Sequence, residues 1–227
     1  MMDFTPSESQ QAVAGLAAEG LTAADPWKEL AQAGLLSLGV LDSATLLTEI
    51  GRRAPQLAMK ALATLMTGAL PVDRWGSDQL KDELLPAVAS GELILTAAIR
   101  EAPLAEEAAL ILVPVPDGVA LVDPDSDDIT LTRLPTSSGY PSFIVHLAGT
   151  SVNSMLGSPD CRADLEHLAV AGACALIDGA VAGALALTRD HVATRAPTSR
   201  SRGTGAPSRP ATPFGYVITC TAGWGWT

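Results

Sequence analysis

Residues 75–92 read WGSDQLKDELLPAVASGE, and this is the most informative stretch of the chain. Ser77 is predicted to cap a helix, because its hydroxyl can accept a hydrogen bond from a backbone N–H of the first turn. Asp78 follows where the helix dipole favours an acid. Pro86 and Gly91 are expected to end the element. Taken alone, this pattern indicates an amphipathic helix that packs against a core.

Two helices are predicted at the start of the chain. Thr5, Pro6 and Glu8 have the spacing of a capping box with proline at the first helical position, and Gly20 should end that helix. A second, short helix is predicted to follow Asp25, which is itself followed by proline. The N-terminal region is therefore expected to be helical from its first residues.

Further helices are predicted between these and the opening stretch. One should follow Ser43, and another should lie between Pro55 and Pro71. Each carries apolar residues at helical spacing, because residues three or four apart share a helix face. These residues are Leu46, Leu47 and Ile50 in the first helix, and Leu57, Ala61, Leu65 and Met66 in the second.

After residue 92 the hydrophobic period changes. Short runs rich in β-branched residues predict strands, paired antiparallel, at 93–99, 109–115, 118–122 and 142–147. The acidic run 123–128 lacks the glycine and the final bidentate glutamate of a calcium loop. It is interpreted as a solvated turn, and no metal site is predicted.

A long helix is predicted over about 163–195. It contains Gly172, Gly179 and Gly183. A glycine inside a helix costs about 1 kcal/mol relative to alanine. The stability of this helix is therefore expected to come from tight packing against neighbouring elements.

The same helix has two interpretations, because residues 168–188 approach the length of a membrane span. Their single charge is Asp178. A charge near the bilayer centre costs about 2.5–3.5 kcal/mol on insertion scales. A helix buried on all sides in a bundle is therefore favoured, no membrane is expected, and a membrane-anchored helix remains the weaker alternative.

These changes of pattern divide the chain into an α+β fold. Residues 1–92 form an N-terminal helical bundle, 93–160 a small antiparallel β domain, and 161–195 the first long helix of an incomplete C-terminal bundle. Residues 196–227 contain no Asp, Glu, Lys or His but four prolines, and are predicted to be disordered. A shifted reading frame is one hypothesis for this change, and resequencing the locus tests it.

Charge and cysteine usage exclude other classes. The net charge is -11, with 25 acidic against 14 basic residues, which argues against nucleic-acid binding. Cys161, Cys174 and Cys220 are too few and too widely spaced for a disulfide framework or a zinc site. The first four residues form no secretory signal. A reducing, cytoplasmic location is expected.

Several segments resemble the acyl-CoA dehydrogenase family. They are ELAQAGLL at 29–36, LTEIGR at 47–52, the stretch 75–92, and LALTRDHVATR at 185–195. With the order of helical bundle, β domain and long helix, the resemblance covers residues 1–195. It implies an FAD-linked oxidation of an acyl-CoA thioester, in which a carboxylate takes the α proton while a hydride leaves the β carbon for the flavin.

The resemblance also assigns candidate FAD contacts to Ala97, Ile99, Arg100 and Arg195. Arg100 stands where the family has a hydroxyl residue, and Ala102 replaces the proline of the family's Thr-Glu-Pro pattern. These two departures weaken the expected flavin contact on the β-domain side.

Two further family features are missing. The segment that carries an aromatic residue over the flavin has no counterpart at 103–109. Arg195 matches the arginine of the Arg-x-Gln-Phe-Gly motif, which serves the neighbouring subunit's cofactor, but Pro197, Thr198 and Ser199 replace its last three residues. Binding of FAD is therefore expected to be lost or shared with a partner subunit.

The sequence thus predicts an acyl-CoA dehydrogenase-like protein with impaired or no activity alone. A non-catalytic subunit of a heteromeric acyl-CoA dehydrogenase is the alternative. Acyl-CoA and another such subunit, in a homo- or hetero-oligomer, are the expected partners. Residues 135–139 resemble short subunits of actinobacterial steroid side-chain dehydrogenases. No catalytic residue is predicted, because the family counterpart of Glu101 is not the base and His146, His167 and His191 are scattered.

Overall fold

The described residues, 5–136, 139–148 and 154–195, form an α+β fold in a computed structural model. A helical region comes first, two small sheets follow, and one long helix comes last. The predicted fold class is confirmed. The prediction for residues 196–227 falls outside the described residues.

The first helix begins at a capping box in a different register from the predicted one. In α1 (Glu8–Gly20), the Ser7 hydroxyl accepts from the Gln10 N–H, and the Gln10 side chain accepts from the Ser7 N–H. The predicted box of Thr5 and Glu8 is therefore wrong. Ser7 and Gln10 have the same chemistry at the same spacing and supply the cap two residues later.

The next two helices differ in how they start. α2 (Pro26–Gln32) begins as predicted, with the Asp25 carboxylate accepting from a backbone N–H of the first turn. α3 (Val40–Arg53) begins three residues before Ser43, which was predicted as its start. Ser43 is buried inside the helix, and its hydroxyl donates 3.1 Å to the Leu38 carbonyl.

A continuous helix with a changed hydrogen-bond register follows. Pro71, predicted as a boundary, lies inside it. The Leu70 N–H donates to the Leu65 carbonyl five residues back, and Pro71, which has no N–H to donate, follows directly. In order, the pieces are a 3₁₀ turn (Pro55–Leu57), α4 (Ala58–Ala61), a π segment (Leu62–Ala69) and α5 (Leu70–Trp75).

The opening stretch forms α6 (Asp78–Ala89). Ser77 caps it as predicted, its hydroxyl accepting 3.3 Å from the Leu80 N–H. Pro86 lies within the helix and does not end it, so that part of the prediction is wrong. The helix ends just before Gly91, whose φ of 78° is the left-handed value that favours glycine. The residues of α6 that enter the core are Leu80, Leu84 and Val88.

Seven strands occur in the described part of the chain. They are β1 (Leu95–Ala97), β2 (Ala102–Pro103), β3 (Leu110–Val115), β4 (Gly118–Val122), β5 (Ile129–Leu134), β6 (Ser142–Leu147) and β7 (Ser154–Leu156). One sheet has the order β1-β3-β4-β7, and the other has the order β2-β6-β5. β1 pairs with β3 in parallel, and every other pair is antiparallel, so the predicted antiparallel arrangement is wrong only at β1.

The first sheet separates two cores. Leu112 and Leu121 belong to the core under α6, while Ile111 and Val122 belong to the core between the sheets. This follows from the period of two along a strand. β4 is consequently buried over its whole length.

The last helix, α7 (Pro159–Arg195), crosses α3 and the π segment at very short range. A Cβ at Gly183 would lie 2.5 Å from the Arg52 carbonyl oxygen, and one at Gly172 would lie 2.5 Å from Leu62 Cδ1. At Gly179 and Gly51 a Cβ would overlap the backbone of the facing helix. The predicted tight packing of this helix is confirmed.

Only one side of α7 is covered in the described chain. Val170, Ile177 and Val181 are 63 %, 62 % and 62 % exposed. The expectation of a helix buried on all sides is therefore wrong here, because α3 and the π segment lie on a single face. By length and hydropathy alone, the helix would also be able to cross a membrane.

Gly179→Ala is predicted to lower the free energy of unfolding by roughly 2–3 kcal/mol, because the two backbones must move apart. Gly15→Ala is the matched control, since a Cβ there meets nothing within 4 Å. It should gain up to about 1 kcal/mol from helix propensity. Urea denaturation followed by circular dichroism measures both, and equal effects would contradict the proposed role of close packing.

Candidate functional site

The connection between β1 and β2 carries most of the candidate cofactor residues. β1 lies against the π segment, where a Cβ at Gly68 would approach to 2.5 Å from Leu95 Cβ. Thr96 is buried, and its hydroxyl donates 2.7 Å to the Pro103 carbonyl. The loop is therefore held in two ways. β1, which precedes it, packs on the π segment, and the hydrogen bond from Thr96 to Pro103 joins the two strands that flank it.

The structure brings three predicted residues together on this loop. Ala97 is buried at the end of β1, Ile99 is half-buried against the core under α6, and Arg100 is exposed. Glu101 is also exposed. Arg100 therefore stands free to reach a bound molecule or solvent.

The backbone of this loop offers donors. Among the described residues, no hydrogen-bond acceptor is present for the N–H groups of residues 99, 100 and 101. A flavin ring accepts hydrogen bonds at its nitrogens and carbonyl oxygens, and proteins tune flavins through such bonds. The loop backbone thus fits one edge of a flavin, although its side chains depart from the family pattern.

Arg195 lies far from this loop in the same chain. It ends α7, 23 residues after Gly172, which corresponds to about 35 Å along the helix axis. Gly172 packs on the π segment, and the π segment packs on β1. The two halves of the predicted cofactor site are therefore not brought together within one chain.

Sequence reasoning missed a polar cluster that joins α5 to α7. Arg74 Nη1 donates 2.6 Å to Asp164 Oδ1, and Trp75 Nε1 donates 3.0 Å to Asp164 Oδ2. Burial acts to raise the pKa of Asp164, but the hydrogen bonds from Trp75 and Arg74 and the arginine charge outweigh it and lower the pKa. The cluster fixes the start of α7, and a local pattern would not reveal it because 90 residues separate the partners.

In the described chain, Cys161 is not an activated thiol and the three histidines do not lie together in one group. Burial, with the Asp164 charge, raises the pKa of Cys161 to about 11, so its thiol is neutral at physiological pH. His146 shares a 3.2 Å hydrogen bond with Thr132, and His167 and His191 are exposed on α7. Within the described ranges, no three metal-ligating side chains lie together.

A small cavity lies between the α2–α3 loop, the π segment, α5 and α6. Its volume is about 150 Å³. Sites for drug-sized ligands usually enclose about 300–1,000 Å³. The cavity therefore holds a short apolar group at most. Its lining includes Ser37, Leu65, Leu70, Asp73 and Leu85.

The family follows from two matches. Residues 2–92 match the acyl-CoA dehydrogenase N-terminal domain. Acyl-CoA dehydrogenase FadE28 of Mycobacterium tuberculosis is 32% identical over 230 aligned positions, and the alignment covers 86% of this chain and 67% of that protein. The chain belongs to the acyl-CoA dehydrogenase family, as its sequence resemblance indicated.

Solved structures share the fold. A variant of the steroid acyl-CoA dehydrogenase Tcur3481-Tcur3483 has a TM-score of 0.74 and 24% identity, covering 85% of this chain and 69% of its own. The ChsE4-ChsE5 complex from Mycobacterium tuberculosis has a TM-score of 0.73 and 22% identity, covering 88% and 70%. A glutaryl-CoA dehydrogenase from Mycobacterium smegmatis, in complex with FADH2, has a TM-score of 0.69 and 15% identity, covering 84% and 67%.

Asp164→Asn is predicted to reduce stability by roughly 1 kcal/mol at neutral pH, a modest value because the Arg74 side chain is partly exposed to solvent. A lowered folded-state pKa gives stability that is present above the unfolded pKa of 3.8 and is lost as pH falls through the folded value. The difference between wild type and variant should therefore shrink below about pH 4. Urea denaturation from pH 3 to 7 tests this, and a pH-independent difference would count against the ion pair.

Proposed function

We propose that this chain is an acyl-CoA dehydrogenase subunit that supplies part of an FAD site and requires a second subunit for turnover. The observation that carries the proposal is a distance along α7. Arg195 lies about 35 Å along the helix axis from Gly172, which packs on the π segment, and the π segment in turn packs on β1 before the candidate loop. A single chain cannot close both halves around one flavin. Two of the fold neighbours, ChsE4-ChsE5 and Tcur3481-Tcur3483, carry paired names, which supports a second subunit.

Each half has a separate role in this proposal. Bound FAD supplies the hydride acceptor for oxidation of the α,β bond of an acyl-CoA thioester. The N–H groups of residues 99–101 would hold one edge of the ring, and Arg100 would add a positive charge at its rim. Arg195 would contact the cofactor of a neighbouring subunit, as the family resemblance implies. The carboxylate base would come from the second subunit.

The substrate class is proposed from the relatives. One fold neighbour is described as a steroid acyl-CoA dehydrogenase. A thioester with a bulky, steroid-like acyl group is therefore the first substrate to test, together with a cytoplasmic location. The cavity of about 150 Å³ between the α2–α3 loop, the π segment, α5 and α6 is too small to hold such a group.

A homo-oligomeric dehydrogenase is the second candidate. The observation that favours it is that the loop and Arg195 are both present in this chain, so that one copy would serve the site of another. The two candidates differ in one respect. If the chain forms a homo-oligomeric enzyme, it binds flavin when purified alone. If it is a subunit of a heteromer, it binds flavin only together with the second subunit.

Purified alone, the protein is predicted to show no visible flavin absorption and no enoyl-CoA formation. Addition of a full-length acyl-CoA dehydrogenase subunit from the same organism should produce a yellow complex that bleaches with a steroid acyl-CoA. Absorption spectra and size-exclusion chromatography with light scattering follow both steps. Stoichiometric FAD and steady turnover by the chain alone would replace this proposal with the homo-oligomer.

Arg195→Ala is predicted to lower the activity of the assembled complex at least about tenfold, because a charged contact to a cofactor is worth about 1.5–3 kcal/mol. Arg162→Ala is the matched control, since Arg162 lies on the same helix in an exposed pair with Glu166. The control should keep full activity. Equal activity of the two variants would remove Arg195 from the site.

A further inference from the structure

The uncovered face of α7 has a regular pattern. Its residues recur at intervals of 4, 3, 4, 4, 3 and 4, which is an 11-residue repeat used twice. Such a repeat has about 3.67 residues per turn, close to the 3.6 of an α-helix, so it stays on one face. This outer stripe extends for about 33 Å. It consists of Val170, Cys174, Ile177, Val181, Leu185, Thr188 and Val192, all of them exposed.

The outer stripe is symmetric about Val181. Reversing the direction of the helix at that residue places position 170 on 192, 174 on 188 and 177 on 185. Two identical helices in antiparallel contact, with a two-fold axis at Val181, would therefore match Val170 with Val192 and Ile177 with Leu185, with the small side chains of Cys174 and Thr188 facing each other. A surface that is complementary to itself in this way is what a two-fold interface requires.

Two charges at the edge of the stripe fit the same arrangement. Asp178 and Arg189 lie on one edge, and neither forms an ion pair among the described residues. In the antiparallel pair, Arg189 of one copy would be about 7.5 Å along the axis from Asp178 of the other. Helical side chains lean toward the N-terminus, which brings these two toward each other.

We propose that the outer stripe of α7 is the surface through which two copies of this chain pair antiparallel. Contiguous apolar surface of this length is uncommon on a monomer. The pairing covers the stripe and places Asp178 beside a cation at the rim. A lipid bilayer would leave that carboxylate unpaired at a cost of about 2.5–3.5 kcal/mol. The proposal does not depend on whether the chain binds flavin.

Disulfide trapping tests the register. Thr188→Cys, in a chain with Cys220→Ser, would place a thiol level with Cys174 of the other copy. Mild oxidation should give a covalent dimer on a non-reducing gel. The Cys220→Ser chain without Thr188→Cys should not form this dimer, because the Cys174 thiols of the two copies would be about 21 Å apart along the axis. Thr194→Cys is the matched control, exposed on α7 but outside the stripe.

A second measurement uses the folded, unlinked protein. Val181→Glu would place two like charges on the two-fold axis and should convert the dimer to a monomer in analytical ultracentrifugation. Leu187→Glu, which alters an exposed leucine outside the stripe, should remain dimeric. Asp178→Arg should weaken the dimer at least about tenfold, and the double variant with Arg189→Asp should restore it. Circular dichroism confirms that each variant is folded.

Four outcomes would overturn the proposal. They are a monomeric wild type at micromolar concentration, a disulfide between two Cys174 residues that indicates parallel pairing, a stripe that is covered only in complex with a different subunit, and co-sedimentation with phosphatidylcholine vesicles in place of dimer formation. Failure here is distinguishable from failure of the proposed function, which is read from flavin absorption and turnover.

Discussion

The fold depends on the contact between the backbones of α3 and α7. Gly51 on one helix and Gly179 and Gly183 on the other let the two backbones approach so closely that no Cβ fits between them. Dispersion forces at such a distance act along the whole crossing, and they offset the cost of glycine in a helix. The crossing also fixes the path of a helix that belongs to two cores, through Leu168 to the helical core and Leu165 to the core under α6.

From this crossing the position of the candidate loop follows in steps. The π segment packs closely against Gly172 of α7, and Leu95 of β1 packs closely against Gly68 of the π segment. The loop that follows β1 is then held by the bond from Thr96 to Pro103. The backbone donors of this loop are thus positioned by packing that begins at the crossing of α3 and α7, although the loop itself is exposed.

Local chemistry explains which elements could be predicted from the sequence. Ser77 and Asp25 cap helices where their residue type and spacing indicate, because capping is a contact within one turn. β3 and β4 were predicted because their buried runs are long and apolar. β2 and β7 were missed because they are two and three residues long and form only by pairing with strands far away in the sequence. β5 was missed although its residues alternate between apolar and polar, the pattern of a half-buried strand.

The remaining errors have a common cause in tertiary packing. Pro71 and Pro86 lie inside helices that the core holds in place, against their usual preference. The loop residues of the candidate site were named by resemblance and not by any local pattern. The uncovered face of α7 was also unpredictable, because composition does not tell which side of an apolar helix finds a neighbour.

The π segment also sets the rotational phase of everything that follows it. A π turn holds more residues than an α turn, so the segment Leu62–Ala69 takes up extra chain while the helix continues into α5. One further residue added in ordinary α form would instead turn α5 by about 100°. Arg74 and Trp75 would then face away from Asp164, and the start of α7 would lose its polar anchor. The wide turn is therefore an angular constraint on the contact between the first and last helices.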